Sequence, residues 1–126
     1  MCFLESLRIE APVTLSMSMI FTKDSELLEG KYKIKKDTQF HILTANIHHN
    51  KKYWIEPEKF IPERFDATSS YYLQPNGKKR HPLAFSPFSG GRRICTGKTF
   101  AEIVAKYVIS GLIGRYEFEL IDKKYA

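Results

Sequence analysis

Between about Asp66 and Phe88 the chain carries Ser69-Ser70, Pro75-Asn76-Gly77, Pro82 and Pro87. No helix or ladder strand survives that density of proline and turn residues, so the segment is ordered but irregular. An irregular run of this length inside a small domain serves a function or rests against something else. It leads directly into a glycine-rich stretch, Phe88 to Gly97, and then into the clearest helix of the sequence. Whatever the chain folds into has to carry that order: meander, glycine loop, helix.

Local patterns on either side give an α+β reading. Phe3, Leu4 and Leu7 recur at helical spacing from Met1 to about Arg8, and Ala11-Pro12 ends that helix. From Val13 to about Ile47 β-branched and aromatic residues are grouped between turn signals at Lys23-Asp24 and Glu29-Gly30. Tyr32 and Ile34 alternate with Lys31, Lys33 and Lys35 as in a half-exposed strand, and Phe40 to Ile47 reads as its partner. His48 to Tyr53 reads as loop and Pro57 to Phe60 as a single helical turn. From Lys98 to Leu112, Phe100, Ile103, Val104, Tyr107, Val108 and Leu112 share one face, most simply a core face, with Gly111 and Gly114 marking the end. Tyr116, Phe118 and Leu120 alternate with Glu117 and Glu119 as a closing strand.

Composition narrows the functional classes. With 126 residues, 43% of them hydrophobic, there is enough apolar material for one modest domain. The net charge of +6 is spread over small separated basic groups such as Lys35-Lys36, Lys78-Lys79-Arg80 and Arg92-Arg93, the pattern of a solvated surface. No nucleic-acid partner is expected from it. Only Cys2 and Cys95 are present, without a Cys-x-x-Cys pair, which points away from a disulfide scaffold or zinc finger and toward an intracellular reducing compartment. Cys2 reads as a structural thiol. His41, His48, His49 and His81 have no metal-ligand spacing and read as ordinary strand and loop residues. No run long enough to span a membrane occurs.

Cys95 is different in kind. It stands at the entrance to a helix, after two arginines and among Gly90, Gly91 and Gly97, where amide dipoles and cations favour the thiolate. A thiolate is a strong ligand for a soft or borderline metal, and glycines without a Cβ let the backbone approach a large flat partner. A phosphate-binding alternative is raised by Gly97-Lys98-Thr99. The P-loop spacing requires glycine five positions before Gly97, where Arg92 stands, and the preceding segment is not an apolar strand.

The stretch Phe88-Ser-Gly-Gly91-Arg-Arg93-Ile-Cys95-Thr-Gly97 resembles the Phe-x-x-Gly-x-Arg-x-Cys-x-Gly haem-binding signature of the cytochrome P-450 family at every fixed position. Glu5-Ser-Leu-Arg8 resembles the family's Glu-x-x-Arg motif and Pro62-Glu-Arg64-Phe65 its Pro-Glu-Arg-Phe motif, in the same order, and the resemblance covers almost the whole chain.

The resemblance implies that Cys95 is the catalytic axial thiolate of a haem (iron protoporphyrin IX) and that Arg93 pairs with a propionate. It also implies that Phe88 packs beside the cysteine, and that Gly91 and Gly97 admit the ring. Glu5, Arg8 and Arg64 are then a buried structural network. Such a thiolate favours O–O bond cleavage, so the implied activity is insertion of one oxygen atom of O2 into a small organic substrate. Electrons would come from a separate reductase or ferredoxin. Lys35 and Asp37 replace the proline and glycine that commonly follow the first strand, and Ser16 to Met19 lacks the second propionate-binding arginine or histidine of many members.

On this reading residues 1–126 are the carboxyl-terminal haem-binding part of a cytochrome P-450 domain. The upstream part, its oxygen-activating helix and any amino-terminal membrane anchor would be absent, and the chain alone inactive. The rival class is a non-catalytic remnant or a haem-binding or interaction module.

Overall fold

The first helix, α1, spans Cys2–Ile9 in a computed structural model that describes residues 1–119. Its apolar stripe is short, and the residues it buries are Glu5, Leu7 and Arg8. An α+β arrangement follows, and the chain divides into two units, Met1–Gly90 and Gly91–Ala126.

In the first unit, β1 (Met19–Ile20) pairs antiparallel with β4 (Gln39–Phe40), with Met19 opposite Phe40. Phe21 and Phe40 bring their rings to 4.7 Å beside that ladder. A Leu15–Leu43 bridge, with the Ser16 N–H donating to the Ile42 carbonyl at 2.9 Å, extends it. Between them β2 (Ser25–Leu27) and β3 (Tyr32–Ile34) form a separate hairpin. Glu29 and Gly30 at its turn have φ of 55° and 85°, positive at both central positions as a type I′ turn requires. Tyr32–Ile34 is therefore a strand, but its partner is Ser25–Leu27 and not Phe40 to Ile47. Asp37, where relatives of the resembled family commonly have glycine, holds φ at 65° in a turn that the Thr38 N–H closes on the Lys35 carbonyl at 3.2 Å. Aspartate is among the few residues that accept this conformation readily.

The expected partner strand is corrected a second time. Thr44–His48 is a helix, α2, of five residues. A helix that short leaves carbonyls at its end without partners of its own. Here the Ile47 carbonyl accepts from the Trp54 indole at 3.2 Å and the His48 carbonyl from Arg8 at 2.9 Å. Arg8 is distant in sequence, and neither donor belongs to the helix itself, so hydrophobic periodicity carries no trace of them. A turn with the Lys59 N–H on the Glu56 carbonyl precedes a 3-10 helix at Pro62–Phe65.

The meander is pinned by short 3-10 turns at Ser70–Tyr72 and Pro82–Ala84 and by a Leu73–Lys79 bridge. Trp54, 1% exposed, is its apolar anchor, with Phe65 and Phe85 at centroid distances of 6.2 and 6.4 Å.

In the second unit a 3-10 turn at Gly91–Arg93 leads to α3, Lys98–Ile113. Gly111 lies inside this helix and Gly114 caps it. None of its residues is buried: Phe100 and Tyr107 are 73% and 81% exposed, against the expectation of a core face. The 3.6-residue period reports that a face is built for burial, not what covers it. Residues 116–119 form no strand, and Leu120, the last residue of the expected closing strand, lies outside the described residues. No helix among the described residues is long and apolar enough to cross a membrane.

Candidate functional site

The residues singled out by the sequence fall into two places. In the first unit α1 presents Glu5 and Arg8 one helical turn apart, and the Pro62–Phe65 turn delivers Arg64. All three are fully buried. Glu5 accepts from Arg8 Nε at 2.9 Å and Nη2 at 2.8 Å, from Arg64 Nε at 3.0 Å and from the Ile61 N–H at 2.9 Å. Further guanidinium N–H groups donate to backbone: Arg8 to His48 and Lys59 carbonyls, Arg64 to those of Ile55, Glu56 and Lys59.

A buried carboxylate is tolerable only with this kind of satisfaction. Burial acts to raise the Glu5 carboxyl, and the hydrogen bonds from Arg8, Ile61 and Arg64 together with the Arg8 charge outweigh it, holding it below the usual carboxylate value. Burial likewise lowers Arg64, with Glu5 opposing. An arginine lowered from so high a value stays charged at neutral pH.

Two members of this region were invisible in the sequence. Arg80, counted among the solvated basic groups, instead donates to the Tyr71 carbonyl at 2.9 Å, to the Leu73 carbonyl at 3.2 Å and to that of Arg64. Its guanidinium lies 4.3 Å from the Trp54 ring centroid, within cation–π range. His48, read as an ordinary loop residue, is fully buried at the end of α2. Neither position follows a local spacing rule.

The second place is the cysteine loop. Phe88 is half-buried at the end of the first unit, in a turn where the Ser89 N–H donates to the Ser86 carbonyl at 3.0 Å. Gly90 belongs to packing: a Cβ there would meet Leu83 Cδ2 at 2.7 Å. In the second unit Gly91 has φ of 66° with open space where a Cβ would stand, so glycine is required by conformation and leaves a gap. Arg92, Arg93 and Cys95 are exposed, and Cys95 is a free thiol. Gly97 caps α3, and a Cβ on it would come within 3.7 Å of the Cys95 sulfur. Cys2, read as a structural thiol, is exposed as well.

A haem fits this donor set in kind. The loop offers one accessible sulfur just ahead of a helix N-terminus, a guanidinium two residues before it, and glycine at the positions nearest the sulfur and the turn. Among the described residues no group of three or more histidine, cysteine, aspartate or glutamate side chains is placed to hold a bare metal ion.

The cytochrome P450 family model matches residues 1–125. The chain is 40% identical over 124 residues to cytochrome P450 4F3 of Rattus norvegicus, covering 98% of this chain and 22% of that protein. It is 39% identical over 119 residues to probable cytochrome P450 6a19 of Drosophila melanogaster, covering 94% and 22%. Leukotriene-B4 omega-hydroxylase 3 of Mus musculus is 39% identical over 124 residues, covering 98% and 22%. The chain thus spans about a fifth of the length of the curated relatives it matches.

Proposed function

The chain belongs to the cytochrome P450 family, and on that premise we propose that it is the carboxyl-terminal, haem-ligating portion of a haem-thiolate monooxygenase domain, with Cys95 as the axial ligand. The observation that carries this reading is the exposed, free Cys95 thiol at the entrance of α3, inside the full Phe88-to-Gly97 signature.

Each residue has a role that its chemistry supports. Cys95, exposed and just ahead of α3, is placed to offer its sulfur as a ligand to a borderline or soft metal. Arg93, exposed, would pair with a propionate carboxylate in a charge-assisted contact. Gly91 leaves open space where a Cβ would stand and Gly97 keeps a Cβ from the Cys95 sulfur, so both would admit the ring. Phe88, the first residue of the signature, would pack beside the cysteine and the ring, as the family resemblance implies. When bound, haem supplies dioxygen activation, which a thiolate ligand promotes by donating electron density. The Glu5–Arg8–Arg64 network would serve as scaffold, tying α1 to the Pro62–Phe65 turn.

The proposed reaction is insertion of one oxygen atom of O2 into a small organic substrate, with electrons from a separate reductase or ferredoxin. Residues outside this chain would complete the substrate pocket and provide any membrane attachment. The chain by itself is proposed to be inactive.

Electron paramagnetic resonance of the chain loaded with ferric haem tests the ligand. A low-spin thiolate signal is expected in the wild type and in Cys2→Ala and lost in Cys95→Ala. The same signal surviving in Cys95→Ala would overturn the assignment. NADPH-driven substrate oxidation by the purified chain would overturn the proposal that it is inactive alone.

A further inference from the structure

His48 is fully buried, and its ring carries an arrangement that the Glu5 network does not explain. Nε2 accepts the Ser86 N–H at 3.0 Å, while Nδ1 is buried without a hydrogen-bond partner. A neutral imidazole has one donor and one acceptor nitrogen. With Nε2 accepting, the ring proton sits on Nδ1, which faces the Arg8 backbone and makes no hydrogen bond of ordinary geometry among the described residues.

What Nε2 does is fix the backbone of Ser86. That residue opens the Ser86–Ser89 turn, which carries Phe88, the first residue of the haem-binding signature. Phe85, just before it, lies against the His48 ring at 5.5 Å. On its other side the His48 carbonyl accepts from Arg8 at 2.9 Å. One residue therefore joins the buried network, through its backbone, to the departure of the cysteine loop, through its ring.

We propose that His48 is a positioning residue, locked as the Nδ1-protonated neutral imidazole, that sets where the cysteine loop leaves the first unit by holding the Ser86 N–H. This rests on the reading of Cys95 as haem ligand. The groups around the ring agree with a neutral state. Arg8, held by Glu5 in the network, lies behind the carbonyl, His49 follows on α2, and Phe85 covers the ring. Burial first, and then the Arg8 and His49 charges, push the ring down to about 4, against an opposing interaction of the ring with the Arg8 backbone. Protonation at Nε2 would set two N–H groups against each other.

The experiment uses the full 126-residue chain, labelled with nitrogen-15, as wild type, His48→Gln and His48→Leu, with and without haem. Glutamine can present its carbonyl oxygen near the Nε2 position; leucine cannot accept at all. The wild-type ring should show an unprotonated Nε2 and a protonated Nδ1 from pH 8 down to pH ~5. The Ser86 amide should exchange about tenfold faster in His48→Leu and close to the wild-type rate in His48→Gln. In the haem-loaded chain the thiolate Soret band should weaken in His48→Leu and recover in His48→Gln. A protonated Nε2, or Ser86 exchange and Soret band unchanged in His48→Leu, would overturn the proposal. If Cys95→Ala leaves the haem spectrum unchanged, the haem-ligand reading falls instead, and the ring tautomer and Ser86 amide still decide the role of His48.

Discussion

The Glu5–Arg8–Arg64 network and the Cys95 loop are both built from charged or ionisable groups close to backbone, and they treat water in opposite ways. In the network the carboxylate has four hydrogen-bond donors and is shut off from solvent. In the loop the thiol and both arginines are exposed. A buried ion cluster has large consequences when one partner is removed, because the others remain desolvated without compensation. An exposed thiol is almost irrelevant to stability, which leaves it free to be spent on a ligand. On the proposed function, fold and chemistry are assigned to separate residues.

The largest predicted effect would break the network side of this contrast. Glu5→Gln removes the charge that both guanidiniums share, and the unfolding midpoint in urea should report a loss of about 3–5 kcal/mol. A loss no larger than that of an exposed substitution would place the network outside the stabilising core.

Acid gives the next effect. The unfolded His48 ring takes up a proton near 6.5 and the folded ring only near 4, so across that window the unfolded state binds more protons. Stability therefore rises with pH there, is fully present above 6.5, and falls by roughly 3 kcal/mol as pH drops to 4. Glu5, depressed in the fold, adds a loss of the same sign as pH falls further. Urea unfolding at a series of pH values should show the slope, and His48→Gln should flatten it above pH 5.

Arg80→Lys sharpens the comparison between buried and solvated basic residues. Lysine cannot span the three carbonyls that the planar fork reaches, so a loss of about 1–3 kcal/mol is expected in thermal or urea unfolding. Lys78→Ala, in the same basic run but exposed, should change stability by less than about 0.5 kcal/mol.

How far the sequence could be read follows the same division. The first helix, the turn at Glu29-Gly30, the irregular meander and the helix after Cys95 were legible because each is written in neighbouring residues: apolar spacing, glycine, proline. The haem-binding signature is local too, ten residues of unbroken spacing. α2 was misread as strand because the groups that take up its last carbonyls, Trp54 beyond the following loop and Arg8 from the first helix, lie outside it. Arg80 and His48 escaped for the same reason: a basic run looks solvated until its carbonyl partners fold around it, and a buried histidine has no period. The apolar stripe of α3 was read correctly as a stripe and wrongly as core, since its exposure depends on what packs there.

The most direct test of the account is the absorption spectrum of the reduced, carbon monoxide-bound, haem-loaded chain, recorded with the urea midpoint for wild type and Cys95→Ala. The account predicts a thiolate-type Soret band in the wild type that disappears in Cys95→Ala, while stability of the haem-free chain changes by less than about 0.5 kcal/mol. A band of the same position and intensity in Cys95→Ala would contradict it.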